Sequence, residues 1–263
     1  MKNQLILSLF SGIDLLGQGF QDNHFCVVSA GDVILYKDIQ NFTNVTKNAF
    51  FGIIGGSPCQ DFSMANRSEP TGYGLKMLAE YKRVVLEASP EWFLLENVPT
   101  VPDIEVDGYH VQRFDLCPSH FGEPVRRLRH FQFGSKQGKI LQFNRKQPIG
   151  KLERTLTATE GTKTNRRSFS TFCQLQGLPP DFYLPDLTKR GNYKVVGNSV
   201  HLSVSRAIAQ QICNYDNLLH YTDQKLCVCG CGRDKLPKRQ TATDNCRKKI
   251  SLLKHKNNET KAA

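Results

Sequence analysis

The chain has 263 residues, enough for one sizeable hydrophobic core with a small appendage, or for two modest domains. No apolar run reaches the roughly 20 residues that a membrane-spanning helix needs. The first ten residues lack the small-residue cleavage site of a signal peptide, so we expect a cytoplasmic protein. The odd number of cysteines, nine, then favours reduced thiols over a disulfide framework.

The formal net charge of +11 is concentrated near the carboxyl-terminal end of the sequence. From Lys225 onward there are eleven Lys and Arg against three Asp and Glu, whereas the preceding 224 residues hold 24 basic and 21 acidic side chains. A nearly balanced body with a basic tail favours a polyanionic partner. A solvated terminus without a partner is the alternative, and charge alone does not decide between the two.

Apolar runs alternate with helical patterns in the first 95 residues. Residues 4–10 have the pattern of a strand that leads through a glycine turn into a short helix, and residues 75–88 have helical spacing. Further strands are predicted at residues 25–29, 49–54 and 92–95. This alternation indicates a parallel sheet covered on both faces, in which ligands bind at the carboxyl ends of the strands.

The second half of the chain has a different composition. Residues 132–167 are polar and basic without a helical period, which predicts the strands and loops of a small separate module. Residues 195–214 return to a helical pattern, and residues 215–223 have the composition of a linker into a cysteine-rich tail.

Two candidate reactive residues follow predicted strands. Cys59 lies on a loop that Pro58 stiffens and two glycines precede, and Glu96 comes directly after the strand at 92–95. Taken singly, each has a simpler interpretation: a lone cysteine is more often a small buried residue, and Glu96 is more often a helix cap or a surface charge.

Two further segments are also weak signals when taken alone. The turn Phe10-Ser11-Gly12 lets a backbone approach a ligand, but many strand–helix turns contain glycine for packing. Arg127 and Arg129 share one side of a predicted strand, where a solvated basic edge is the simpler interpretation.

Together and in this order, these residues resemble the DNA (cytosine-5) methyltransferase family. The similar motifs are Phe10-Ser11-Gly12, the catalytic loop Pro58-Cys59-Gln60, Glu96-Asn97-Val98, Arg127-x-Arg129, Leu175-Gln176-Gly177-Leu178-Pro179 and Gly197-Asn198-Ser199-Val200. The resemblance covers about residues 4–213, and it places the last motif at the opening of the last helix.

The resemblance implies a role for each catalytic residue. A cysteine thiolate at Cys59 would add to C6 of a flipped-out cytosine, because this addition makes C5 electron-rich. Glu96 would neutralise N3, Arg129 would donate to O2, and Arg127 would be its catalytic neighbour. The base that removes the C5 proton is not identified by the sequence.

The resemblance also implies S-adenosylmethionine as the cofactor. Phe10 would stack on the adenine, and Gly12 would admit the methionine moiety. The other implied contacts are Asp32, Asp38, Pro58, Leu78, Asn198, Ser199 and Val200. For Leu78 and Val200, core packing is an equally good interpretation.

Several positions depart from the family pattern. Asp14 and Leu15 replace glycines that usually follow Gly12, so a different turn geometry is expected there. Val125 stands where a glutamine commonly precedes the two arginines. The variable stretch between Phe131 and Arg154 is short for reading several base pairs. Either the recognised DNA sequence is short, or another part of the chain contributes to its recognition.

DNA is the implied partner, and basic side chains would hold its phosphates without specifying sequence. The residues predicted to contact DNA are Gln60, Ser63, Arg145, Lys146, Arg166, Arg167, Arg247, Lys248 and Lys249. The cysteines of the tail suggest a structural zinc knuckle, with a redox-active or merely reduced cluster as the alternative. The predicted zinc ligands are Cys227, Cys229, Cys231 and Cys246.

We therefore expect an α/β, Rossmann-like methyltransferase fold dependent on S-adenosylmethionine, with a mostly β and loop recognition region and a zinc-knuckle-like tail. The catalytic domain would comprise residues 1–131 and 192–214, the recognition region 132–191 and the tail 215–263. The expected protein is a monomeric, nucleoid-associated enzyme that methylates cytosine in DNA, with a cognate restriction endonuclease as a possible further partner. The same chemistry on RNA and a non-catalytic DNA-binding relative are the alternatives.

Overall fold

The computed structural model describes residues 4–30, 38–64, 66, 68–146, 151–220, 227 and 247. Within these residues, six strands form one sheet with the order β2-β1-β3-β4-β6-β5. The strands are β1 (Leu5–Leu9), β2 (Cys26–Ala30), β3 (Gly52–Gly56), β4 (Trp92–Asn97), β5 (His110–Leu116) and β6 (Arg129–Ser135). Strands β1 to β4 run parallel, and β6 pairs antiparallel with both β4 and β5.

The four strands predicted in the first 95 residues are confirmed, although β3 begins later than position 49. Its five residues and those of β4 are almost continuously buried, as expected for central strands of a sheet that is covered on both faces. Because β1, β3 and β4 are parallel neighbours, the loops that follow them meet at one edge, which we call the catalytic edge.

Helices cover both faces of the sheet. The described residues contain α1 (Leu15–Gln21), α2 (Tyr73–Ala88), α3 (Phe169–Gln174), α4 (Lys189–Asn198) and α5 (Leu202–Cys213). Helices α1 and α5 pack on one face, in the core cluster that contains Phe20, Trp92 and Ile208. Helix α2 packs on the other face, where Tyr81 contacts Phe93 edge-on. No helix of the described part of the chain is long and apolar enough to cross a membrane.

The helical pattern at 195–214 corresponds to two helices, so the prediction that Gly197–Val200 opens the last helix is wrong. Helix α4 ends at Asn198, and Ser199 and His201 have extended backbones. The His201 side chain accepts a hydrogen bond from the Ser203 amide (3.2 Å) and so caps α5. The motif therefore closes α4 and turns the chain into α5.

The expected domain boundary at residue 132 and the expected linker at 215–223 both lie in segments that pack against the sheet. Strand β6 continues past position 132 to Ser135, and Gln132 and Ser135 are both buried. The expected linker at 215–223 begins with Tyr215, which is buried and whose hydroxyl bonds to Ser135 Oγ (2.7 Å). Lys139 Nζ donates to the carbonyls of Asp216 and Leu218, so this segment is docked on the body.

The region between β6 and α4 is poor in strands. The described residues of this region contain loops, one short 3-10 turn and helix α3, and they contribute to two isolated bridges. A small apolar cluster attaches it to the body, with Val125 and Leu156 packed among Phe172, Tyr193 and Val196. Val125, which replaces the family's usual glutamine, is thus a core residue of this cluster.

Candidate active site

Cys59 and Glu96 follow adjacent strands at the catalytic edge. Gly56, the last residue of β3, is paired in register with Glu96 on β4. Cys59 comes three residues later and is half-buried, with φ −99° and ψ 0°. This sparsely populated backbone region is common for active-site residues. Parallel pairing of β3 with β4 therefore brings the thiol and the carboxyl into one site.

The Glu96 carboxyl spans the space between β3 and β6. The residue is 7% exposed, and its Oε1 lies 3.0 Å from Arg129 Nε. Its Oε2 lies 2.8 Å from the position that a Cβ at Gly56 would take. A side chain at position 56 would displace this carboxyl, so Gly56 is a site residue that the sequence reasoning missed.

The surroundings of the thiol and the carboxyl raise the pKa of both groups. Burial, together with the negative charge of Glu96, raises the pKa of the Cys59 thiol, while Arg129 and Arg127 oppose the shift. Burial also raises the pKa of Glu96, against the charges of Arg129, Arg127 and His130. A protonated Glu96 would no longer disfavour the thiolate at Cys59.

The grouping of Arg127 with the catalytic residues needs correction. Its side chain is buried and donates to the backbone carbonyls of Leu156, Gly197 and Ser199. Burial lowers the pKa of this guanidinium to about 9, which still leaves it charged at neutral pH. Arg127 therefore acts on the site through its charge and by holding the α4–α5 junction, as a positioning residue.

Two amide side chains that received no predicted role also order the site. Asn97 Nδ2 donates to the Ser57 carbonyl (3.0 Å) and to Ser57 Oγ (2.9 Å), and Asn97 Oδ1 accepts from the Val98 amide. This side chain ties the end of β4 to the loop that carries Cys59. Gln176 Nε2 donates to the Ser199 carbonyl (2.7 Å), which Arg127 also contacts. Both residues lie inside motifs that the sequence analysis identified, next to Glu96 and Leu175, and this position was the signal that could have pointed to them.

The turn after β1 contains left-handed residues at alternate positions: Phe10, Gly12 and Asp14 have φ values of 53°, 56° and 55°. Glycine adopts such angles readily, but aspartate needs compensation. The Asp14 carboxylate accepts from Ser8 Oγ (2.8 Å), the Gly17 amide (3.0 Å) and Ser29 Oγ. Asp14 thus has a glycine-like conformation and caps α1, so the departure from the family sequence leaves a left-handed turn in place.

The other predicted cofactor residues lie in different parts of the structure. Phe10 is half-buried and packs in the cluster that contains Ile39 and the buried Leu78. Asp38 begins a short turn and accepts from Gln40. Val200 is buried in the cluster on the opposite face of the sheet. The remaining predicted contacts are the half-buried Pro58 and Ser199, the exposed Asn198, and Asp32, which lies outside the described residues.

The residues predicted to contact DNA differ in solvent exposure. Gln60, Arg145, Lys146 and Arg166 are exposed, and Ser63 is half-buried in the loop after Cys59. The prediction for Arg167 needs correction: its guanidinium pairs with Glu160 (3.1 Å) and Glu153 (3.3 Å) and is 9% exposed. Glu160, itself fully buried, also pairs with Arg154 and Lys163. Arg167 therefore stabilises the region after residue 151.

Few of the predicted tail residues fall within the described part of the chain. Cys227 is buried and Arg247 is exposed, whereas Cys229, Cys231, Cys246, Lys248 and Lys249 lie outside the described residues. No group of three or more metal-ligating side chains occurs among the residues that the structure describes. The zinc knuckle therefore stays a prediction from the cysteine pattern.

Comparison with known proteins identifies the family. The model of the C-5 cytosine-specific DNA methylase family matches residues 5–172, which contain the Cys59 loop, Glu96 and both arginines. The chain belongs to this family. A solved methyltransferase of Entamoeba histolytica, EhMeth, shares the fold of this methylase with a TM-score of 0.61 and 13% identity, over 82% of this chain and 99% of that chain.

Curated relatives match this methylase over shorter ranges. The Type II methylase M.HgiDII of Herpetosiphon aurantiacus is 34% identical over 102 residues, which are 34% of this chain and 28% of that protein. The Type II methyltransferase M.FnuDI of Fusobacterium nucleatum is 29% identical over 182 residues, 57% of this chain and 52% of that protein. The chain thus spans about half or less of the length of these two relatives.

Proposed function

We propose that this methylase transfers a methyl group from S-adenosylmethionine to C5 of a flipped-out cytosine in DNA. The observation that carries the proposal is the meeting of Cys59 and Glu96 at adjacent carboxyl strand ends, with Arg129 Nε 3.0 Å from the carboxyl. A thiol and a carboxyl that lie together, each with a pKa shifted by its surroundings, are typical of nucleophile–acid sites.

In the proposed reaction, the Cys59 thiolate forms a C–S bond at C6 of cytosine. The displaced ring electrons are neutralised when Glu96, protonated in its buried site, delivers its proton to N3. Arg129 stabilises the developing charge at O2. The electron-rich C5 takes the methyl group, with the cofactor's neutral thioether as the leaving group. A base that the structure does not identify removes the C5 proton, the C–S bond breaks to release the thiolate, and the N3 proton returns to the Glu96 carboxylate.

The residues around the β1 turn have the chemistry that S-adenosylmethionine requires. The half-buried ring of Phe10 offers a flat apolar face, the Asp38 carboxylate offers acceptors for an exocyclic amine, and Gly12 presents backbone without a side chain. When bound, the cofactor supplies an electrophilic methyl group. Phe10 and Asp38 would hold its adenine, and the Gly12 turn would hold its methionine moiety.

The finer predictions from sequence belong to the same proposal. Exposed Arg145, Lys146 and Arg166 would hold phosphates, and the short region after β6 would contribute a limited sequence preference. The names of the two relatives, Type II methylase and Type II methyltransferase, support a cognate restriction endonuclease as a further partner. The zinc tail, the monomeric state and nucleoid association stay predictions from the sequence alone.

The test is covalent trapping with a duplex that contains 5-fluorocytosine, in the presence of S-adenosylmethionine. Fluorine at C5 cannot leave as a proton does, so the enzyme should stay attached to the DNA as a band of reduced mobility on a denaturing gel. Cys59→Ala should abolish this band. Cys26→Ala, which removes an exposed thiol at the amino end of β2, should leave it intact and serves as the matched control.

The outcomes separate the candidate functions. Trapping on an RNA oligonucleotide but not on DNA would assign the same chemistry to RNA. Binding without trapping on either polymer would indicate a non-catalytic relative. Trapping by Cys59→Ala would show that another residue is the nucleophile and would overturn the proposal. Bisulfite sequencing of DNA from cells that express the chain would then give the methylated sequence.

A further inference from the structure

Asp61, two residues after Cys59, bonds to the start of helix α2. Its carboxylate accepts from the Thr71 amide (3.0 Å), from Thr71 Oγ1 (3.0 Å) and from the Gly74 amide (2.8 Å). Ten or more residues of chain separate these partners from Asp61. The Asp61 side chain therefore joins the two ends of the loop between Cys59 and α2 through several hydrogen bonds.

These bonds replace the missing cap of α2. The N-cap residue, Gly72, has no side chain that could accept from the first turn, and the Thr71 hydroxyl accepts from the Tyr73 amide. Asp61 accepts from the Gly74 amide in that turn, where a negative charge is also favoured by the helix dipole. The amides of Gly74 and Thr71 lower the pKa of Asp61, so its charge persists at neutral pH.

The segments on both sides of Cys59 are thus attached to different elements. Ser57, before it, is held by Asn97 at the end of β4. Asp61, after it, is held by α2, and the Phe62 carbonyl accepts from Thr100 Oγ1 in the loop that follows Glu96. Because Asn97 and Thr100 belong to the Glu96 side of the site, the attachment fixes the thiol relative to the carboxyl.

We propose that Asp61 is a positioning residue that sets the location of the Cys59 sulfur relative to Glu96, through its hydrogen bonds to α2. The inference rests on the proposed function, since it concerns the rate at which the thiolate adds to the base. Misplacement of a reacting atom by about 1 Å can cost on the order of 100-fold in rate. Asp61 itself does not contact the reacting atoms in this assignment.

The test compares Asp61→Ala, Asp61→Asn and Thr71→Val with the wild-type chain in single-turnover trapping on 5-fluorocytosine DNA. Affinity for S-adenosylmethionine is measured separately by calorimetry. Asp61→Ala should slow adduct formation about 10- to 100-fold and leave cofactor affinity within about twofold, because the β1 turn is untouched. Asp61→Asn keeps an acceptor for the Gly74 amide and should recover part of the rate. Thr71→Val removes one donor and should give a smaller decrease.

Asp22→Ala is the matched control, because Asp22 is also a hydrogen-bonded carboxylate, with Gln18 and Arg206 as partners at the end of α1. It should leave the adduct rate unchanged. Wild-type rates for all three loop variants would overturn the role of Asp61 and leave the proposed function intact. Equal losses of adduct rate and cofactor affinity would overturn it as well, because they would indicate general unfolding. Absence of trapping in the wild-type chain would instead refute the proposed function itself. If Asp61→Ala does not fold, wild-type rates for the other two variants decide against the proposal.

Discussion

The replacement Arg127→Met tests the positioning role of this arginine. The substitution keeps an apolar stem but removes a charged donor from three carbonyls, those of Leu156, Gly197 and Ser199. Removing one partner from a buried, charged hydrogen-bonding group costs about 3–5 kcal/mol, because the acceptors left behind remain desolvated. For a chain of this size, about 2–4 °C is lost per kcal/mol. We therefore expect the melting temperature to fall by roughly 6–20 °C.

Arg126→Met provides the control within the same dipeptide, because Arg126 is exposed. An exposed substitution should change the unfolding free energy by less than about 0.5 kcal/mol. Urea and thermal unfolding of the two variants, followed by circular dichroism, give the comparison directly. Equal stability of the two variants would refute the assignment, and a folded, stable Arg127→Met that fails only in trapping would restore Arg127 to the catalytic residues.

Three further results are expected. Gly56→Ala should fold normally but slow adduct trapping about 10- to 100-fold, because its Cβ would stand 2.8 Å from Glu96 Oε2; a wild-type rate would count against the close approach. Burial raises the pKa of Glu96 above its usual value of 4.5. Ionisation of this carboxyl therefore lowers the free energy of unfolding of the wild-type chain as the pH rises above 4.5. The melting temperature of Glu96→Gln relative to wild type should thus increase between pH 4 and pH 8, and parallel curves would contradict this. Arg166→Ala should reduce the salt slope of DNA binding by about one without altering stability, whereas Arg167→Ala should lower the melting temperature because it removes one of the three ion-pair partners of the buried Glu160. The reverse pattern would exchange their roles.

The parallel half of the fold was predictable from the sequence because its strands are short, continuous apolar runs. The extent of the antiparallel half was not, because β6 (Arg129–Ser135) alternates polar residues with Phe131 and Phe133. Its polar side chains are buried by hydrogen bonds, as when Gln132 bonds to the Ile104 amide and the Pro102 carbonyl. Alternating polar and apolar residues predict a segment at the surface. For this reason the catalytic domain was expected to give way to the recognition region at residue 132.

The candidate site could be predicted as a set of residues but not as a geometry. The motifs indicated Cys59, Glu96 and Arg129, and the sheet register brings the first two to adjacent strand ends. The difference between Arg127 and Arg129 depends on burial, because one side chain faces backbone carbonyls and the other faces a carboxylate. Asp61 carries no periodic signal, since its partners lie ten or more residues away.

Residues 215–220 dock at the end of the sheet that lies opposite to Cys59 and Glu96. Tyr215 contacts Phe51, just before β3, and His220 bridges to Lys139, just after β6. These positions lie at the amino ends of β3 and β4, about 17 Å from the catalytic edge at ~3.3 Å per residue of β4. A reporter domain joined after His220 would therefore start at the end of the strands opposite to Cys59 and Glu96.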